Sequence, residues 1–353
     1  MGKKGMSAVV TTLIIILLAI VAIGIMWVVV KNVISKGEEG ISLTGLVLDL
    51  EIQKASVDED TLSVTVHRKS GEGNLVGINF VIGDGSDSEV VKREVVLKEL
   101  GYEIFNFNLN ELNVGFVKEI FIAPILKFES KKEITGDVVN NFEFTNKKVI
   151  ENLGGISWWG FGGNANDEII NNNGVIEGAN CNVEGKYGKA CSFEDTYVEI
   201  NDNLDFDDFD TEFSVLAWAK PVSWDANHNT IICQESGFLL AIDSSGNLAN
   251  WVYANSSWEK DASSNPLIPL NEWTHFVMTY DGVKIRSYVN GELQGFGQNK
   301  TGDMGIANKV YIGKRSGTSQ PFHGVIDEPM IFNRVLTEKE IEALYKLDLT
   351  QKN

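Results

Sequence analysis

No charged residue occurs between Gly5 and Val30, and this run, dense in Leu and Ile at residues 13–18, limits what the N-terminus of the chain can be. As a helix rising about 1.5 Å per residue, roughly 25 residues reach past a hydrocarbon core of about 30 Å. Each central Leu, Ile or Val favours insertion by roughly 0.3 to 0.6 kcal/mol, with no Asp, Lys or Arg to oppose it. A transmembrane helix is therefore expected over residues 6–35, with membrane lipid as its partner through residues 6–30. Trp27 falls where an aromatic belt forms. Lys3 and Lys4 precede the run, so the positive-inside rule keeps the N-terminus in the cytoplasm and places the bulk after Lys31 outside the cell. A cleaved secretory signal ending at Ala22-Ile23-Gly24 fits less well, because it would leave the apolar stub from Ile25 to Val30.

The stretch Lys3-Lys4-Gly5-Met6-Ser7-Ala8-Val9-Val10-Thr11-Thr12-Leu13 resembles the class III signal peptide of archaeal type IV pilins and archaellins, over roughly residues 1–35. The resemblance implies that prepilin peptidase cuts between Gly5 and Met6. Residues 1–5 would be removed and the apolar helix kept as an anchor or a filament core, with other pilin-like subunits as partners. Val10 stands where many bacterial pilins carry a glutamate, a departure that bears on polymerisation.

Thirty basic against 49 acidic residues give a formal charge of -19, which repels phosphate backbones and makes nucleic acid an unsuitable partner. The three cysteines are too few for a disulfide framework and lack zinc-site spacing. In an exported domain a Cys181–Cys191 bridge could close a short loop, leaving Cys233 as a free, buried thiol.

Beyond the polar stretch Ser35–Gly40, apolar residues alternate with polar ones, as at Leu62, Val64 and Val66 or Phe105, Phe107 and Leu109. Period two signals half-buried strands, and acidic and glycine-bearing turns punctuate them. A small β-sandwich over residues 41–145 is expected, loosely similar to the headgroup of archaeal pilin-like proteins and acting as a spacer. The acidic turn with Asp84, Asp87 and Glu89 reads as a solvated loop rather than a calcium site.

The polar, glycine-bearing stretch from Asn140 to Gly155 marks a boundary. After it, Phe213–Pro221 alternates as a strand, Asn290-Gly291 suits a type I′ hairpin, and Thr337 with Glu340 forms a capping box opening a helix through Tyr345. With Glu272-Trp273-Thr274-His275, Tyr280-Asp281-Gly282, Tyr311-Ile312-Gly313 and Gly324-Val325-Ile326-Asp327-Glu328, these residues resemble the laminin G-like jelly roll of the concanavalin A-like superfamily, over residues 156–348. The resemblance implies two stacked antiparallel sheets with a rim or face open to sugars or proteins.

Trp218 and Trp273 lie in strand motifs and are expected in the core. Trp224, Trp251, Tyr253 and Trp258 lie in or beside polar sequence and are the candidate ligand-binding residues, since sugar rings stack on exposed aromatics. The family resemblance implies a structural calcium at Asp327, with Glu194 in a partner turn shorter than the family's pattern. Calcium is the one cofactor expected. His228, His275 and His323 show no spacing to a nucleophile or metal partner. Asn255 and Asn299 open glycosylation sequons. The glucanase pattern Glu-x-Asp-x-Glu is absent, and Asp208, Asp210 and Glu212 read as a solvated turn. The expected whole is a mainly β, pilin-like, membrane-anchored surface protein that binds an extracellular glycan or surface protein and is not an enzyme. Its alternatives are a purely structural surface or minor-pilin subunit and, behind that, a glycoside hydrolase.

Overall fold

The structure, a computed structural model, describes residues 48–127, 132–201, 212–224, 228–260, 267–299, 309–315 and 320–350. The expected helix over residues 6–35 and the Gly5–Met6 junction lie outside these. Among the described residues no helix is long and apolar enough to cross a membrane. The chain there is mainly β, with two short α-helices, α1 (Asn146–Asn152) and α2 (Glu338–Lys346).

Period-two patterning buries Leu62, Val64 and Val66 of strand Thr61–Arg68 completely. That strand sits between Leu50–Asp58 and Tyr102–Asn108 in a three-stranded sheet. A second sheet is built around Leu75–Gly83 and Glu119–Lys127, with Ser88–Glu94 on one edge and Glu133–Thr135 and Asn140–Glu143 on the other. The two sheets close on one another through Phe80, whose ring lies 4.9 Å from both Phe105 and Phe107. The stretch expected as a linker is ordered. Its first half pairs with Glu119–Lys127, and Thr145 then caps α1 by accepting from the Lys148 N–H at 3.1 Å.

The second body is a jelly roll of two larger sheets. One runs, neighbour by neighbour, Gly174–Glu177, Tyr197–Asn201, Lys309–Ile312, His228–Gln234, Phe238–Asp243, Trp251–Ala254 and Ser257–Lys260. The other runs Asn180–Glu184, Lys189–Phe193, Gly324–Phe332, Phe213–Pro221, Thr274–Tyr280, Lys284–Val289 and Glu292–Asn299, with Gly155–Trp158 as an eighth strand on Gly324–Phe332. Phe213, Val215, Ala217, Phe276 and Met278 of this eight-stranded sheet meet Val198, Ile232, Leu240, Val252 and Ile312 of the seven-stranded one in a shared core. The hairpin at Asn290-Gly291 has φ of 51° and 84°, the left-handed pair that type I′ demands.

The outer face of the eight-stranded sheet is covered. Leu216, Val277, Tyr288, Met330 and Phe332 pack with Ile341 and Leu344 of α2 and with the middle sandwich in one continuous core. Each fully buried Ile or Leu of the helix contributes about 1.5–3 kcal/mol. Lys339 Nζ donates to Asn113 Oδ1 at 2.9 Å and Asn146 Nδ2 to the Asp348 carbonyl at 2.9 Å, tying the two bodies at the rim. Among the described residues the sandwich meets the jelly roll through one end. Asp60 and Leu109 border a cleft of about 750 Å³ shared with Arg334 and Thr337, while Leu50, Arg68 and Tyr102 lie at the opposite ends of the same strands.

Candidate functional site

Register across the seven-stranded sheet decides which side chains share its outer face. Val198, Ile232, Leu240, Val252 and Ile312 point inward, so their strand neighbours point out. Cross-strand partners then form one transverse row in which Glu199 lies beside Tyr311, Tyr311 beside Cys233, Cys233 beside Leu239, Leu239 beside Trp251, and Trp251 beside Lys260. At about 4.8 Å between strands, six strands make a row of about 24 Å.

Two more rings thicken one end of the row. Tyr253 and Trp258 are cross-strand partners with centroids 5.3 Å apart. Trp251 and Trp258, half-buried, pack against a small apolar patch of Cys233, Leu239, Ala241 and Ala249. The Arg315 guanidinium lies 4.8 Å from the centre of the Trp258 ring, within cation–π range. At the other end Tyr197 and Tyr311 have centroids 6.0 Å apart, and the Lys314 ammonium lies 4.5 Å over Tyr197. Lys309 pairs with Glu199 at 2.5 Å and Lys260 with Asp243 at 3.6 Å, giving the apolar row a charged border. Cys233 supplies no nucleophile, because burial pushes its thiol up to about 12.

Three of the four expected ligand-binding aromatics, Trp251, Tyr253 and Trp258, therefore come together on one face. Trp224 does not join them. It packs against the inter-sheet core beside Leu267 and Gly246, its indole N–H buried without a partner among the described residues. Tyr197, Tyr311 and Arg315 are the additions that sequence spacing could not supply, since only strand order brings residues so distant in the chain side by side. Of the two tryptophans expected in the core, Trp218 is there, stacked on Tyr345 at 5.6 Å, while Trp273 is only half-buried, just ahead of strand Thr274–Tyr280.

The remaining candidates are dispersed. Glu194 is exposed in the turn after Lys189–Phe193. Asp327 is fully buried, one oxygen accepting from the Tyr187 N–H and the other from the Glu328 N–H, each at 3.0 Å. Among the described residues no three His, Cys, Asp or Glu side chains gather as metal ligands. Cys181 and Cys191 are disulfide-bonded across a hairpin. Asn255 is exposed at the turn joining Trp251–Ala254 to Ser257–Lys260, and Asn299 closes strand Glu292–Asn299, with the rest of its sequon outside the described residues. Asp208 and Asp210 also lie outside them. Glu212 is exposed ahead of Phe213.

One histidine has partners that spacing did not reveal. His323 Nδ1 lies 3.4 Å from Ser223 Oγ and Nε2 lies 3.4 Å from Asp195 Oδ1. The Asp195 side chain is 79% exposed, so water competes for the carboxylate that a catalytic triad would bury. His275 is buried between Trp218 and Tyr345, and burial together with the Lys186 charge lowers it to about 3.

The two stacked antiparallel sheets form a jelly roll whose seven-stranded sheet carries half-buried aromatic rings on its outer side. The concanavalin A-like lectin/glucanases superfamily matches residues 193–342, and this part of the chain is a laminin G-like, concanavalin A-like jelly-roll domain. No curated protein matches the chain. Similar solved structures include domain 4 of AbnA, a GH43 extracellular arabinanase from Geobacillus stearothermophilus, in complex with arabinotriose. It is 22% identical, with 54% of this chain and 98% of that one covered and a TM-score of 0.46. The botulinum neurotoxin serotype D binding domain is 20% identical, with 55% and 51% covered and a TM-score of 0.44. The binding domain of botulinum neurotoxin DC in complex with SialylT is 18% identical, with 50% and 47% covered and a TM-score of 0.39. The chain thus spans about half the length of the two neurotoxin domains.

Proposed function

We propose that this is a surface protein that binds glycans through the outer face of its seven-stranded sheet, anchored in the membrane by residues 6–30 with its β-rich bulk outside the cell. The observation that carries the reading is the cluster of half-buried rings, Trp251, Tyr253 and Trp258, on the outer side of the seven-stranded sheet, with the Arg315 guanidinium against Trp258. Indole and phenol rings stack on the apolar faces of sugars, while bordering Lys, Arg, Glu and Asp side chains meet the hydroxyls. The name of the matched superfamily spans lectins and glucanases, and the geometry favours holding over cutting. Retaining hydrolysis needs two carboxylates about 5 Å apart. Here Glu199 and Asp243 are engaged by separate lysines toward opposite ends of the row, and neither is placed beside the other as such a pair requires.

A glycan array probed with the full chain tests this, repeated with Trp258→Ala and Tyr253→Ala and with a chelator to report any calcium contribution. The expected result is selective glycan binding that falls about tenfold or more in each variant, the equivalent of about 1.4 kcal/mol, at an unchanged melting temperature. No bound glycan, or binding indifferent to both substitutions, would overturn the reading. A reducing-sugar release assay on bound glycans checks for hydrolysis.

A further inference from the structure

Of the eleven large apolar side chains exposed among the described residues, five fall between residues 90 and 104. Four of them, Val96 at 81%, Leu100 at 64%, Tyr102 at 60% and Ile104 at 61%, sit on the 95–101 loop or on the edge strand that follows it. Hydrophobic side chains this exposed and this close together mark a contact surface.

The loop is held in place, so their exposure does not come from fraying. Arg68, 9% exposed, donates from Nη1 to the Leu97 carbonyl at 2.8 Å and from its backbone N–H to the Gly101 carbonyl at 3.0 Å. The same guanidinium also reaches the Gly73 carbonyl at 2.7 Å, and Glu99 accepts from the Gly71 N–H at 2.9 Å. Leu100 has φ of 59°, a left-handed backbone that a leucine rarely adopts and that surrounding contacts must impose. Tyr102 is stacked on His67 at 4.2 Å.

Where the chain enters this fold says what meets the loop. The first strand begins at Leu50, whose partner across the sheet is Arg68, the residue that grips the loop. The described chain thus enters the sandwich at the loop's end, while the jelly roll packs against the other end. We infer that Val96, Leu100, Tyr102 and Ile104 seat on the lipid surface into which residues 6–30 insert, fixing the sandwich upright with the jelly roll at its far end. The inference rests on the anchoring reading. Contact with lipid is apolar rather than electrostatic, since a chain of charge -19 gains nothing from anionic headgroups. Tyrosine suits that depth because its ring is apolar and its hydroxyl is wet. Residues 31–47 are long enough to hold the sandwich away from the bilayer, so it is the exposed loop that argues for seating.

The test uses the full chain in phosphatidylcholine vesicles. Cys233 is buried and Cys181 and Cys191 are bonded, so a thiol-directed, environment-sensitive dye reads only an introduced cysteine. Val96→Cys is compared with Asn110→Cys at the opposite end, with Ile104→Cys as a second reporter should Val96→Cys fail to fold. The expected result is blue-shifted emission at position 96, quenched severalfold more by spin-labelled lipid than at position 110, and insensitive to salt. Equal quenching at the two positions overturns the inference and leaves the anchor standing, provided the vesicles float with the protein. Failure to float removes the anchor and the seating together. A blue shift that grows with protein density, without lipid quenching, would assign the patch to a second copy and overturn the lipid contact.

Discussion

Arg334 grips Glu340 with both ends of its guanidinium, Nη1 donating to Oε2 at 3.0 Å and Nη2 to Oε1 at 2.6 Å. Its Nε donates to the Leu153 carbonyl at 2.8 Å, and Glu340 completes the capping box with Thr337. One residue pair thus ties the start of α2 to the end of α1, across the seam between the two bodies. Glu340 is 12% exposed, which lifts the pair above the small worth of a surface salt bridge. Arg334→Ala is expected to cost about 2 kcal/mol, read as a lower urea midpoint at unchanged slope. An unmoved midpoint would mean that apolar packing alone holds the seam.

Gly313→Ala should be among the most damaging single methyl additions. Gly313 has φ of 86°, and a Cβ there would overlap the Phe193 ring inside the jelly-roll core. Backbone strain and overpacking together are expected to cost about 3 kcal/mol. A thermal melt within error of the parent would show that the Phe193 ring gives way freely.

Acid should destabilise the protein through His275. Its folded pKa of about 3 lies below the ordinary histidine value of 6.5, so between these limits the unfolded chain binds the extra proton. Stability therefore rises with pH through that window and is lost as pH falls, with a slope of up to about 1.4 kcal/mol per unit from this group. Urea midpoints at pH 7 and pH 4.5 should separate less in His275→Gln than in the parent. An identical separation would clear His275 of the effect.

Cys233 should be silent toward thiol reagents in the folded protein and react in denaturant. Its thiol is buried and held near 12, so almost no thiolate exists at pH 8. Native-state titration with a chromogenic disulfide measures this, and prompt reaction would indicate that the patch under Trp251 and Trp258 opens.

Local patterning made much of this fold readable. The alternation at Leu62, Val64 and Val66, the Asn290-Gly291 turn and the Thr337–Glu340 cap are each determined by neighbours a few residues apart, and each stands where it was expected. Helix α1 was missed because the stretch read as polar linker, although Thr145 ahead of Lys148-Val149-Ile150 carries a helix start. The ring cluster was half legible. Trp251, Tyr253 and Trp258 share one hairpin, whereas Tyr311 and Arg315 reach it only through the crossover order of the sheet. Trp224 misled because polar neighbours in sequence say nothing of a ring turned back onto the core.

The jelly roll's unequal treatment of its two outer faces bears on valency. With the eight-stranded side covered by α2 and the middle sandwich, the proposed glycan site lies on one side of the jelly roll, and on that reading one molecule would not bridge two targets back to back. Firm attachment by weak individual contacts would then depend on many copies presenting that site in the same direction, so avidity would be set by how densely the chains are arrayed.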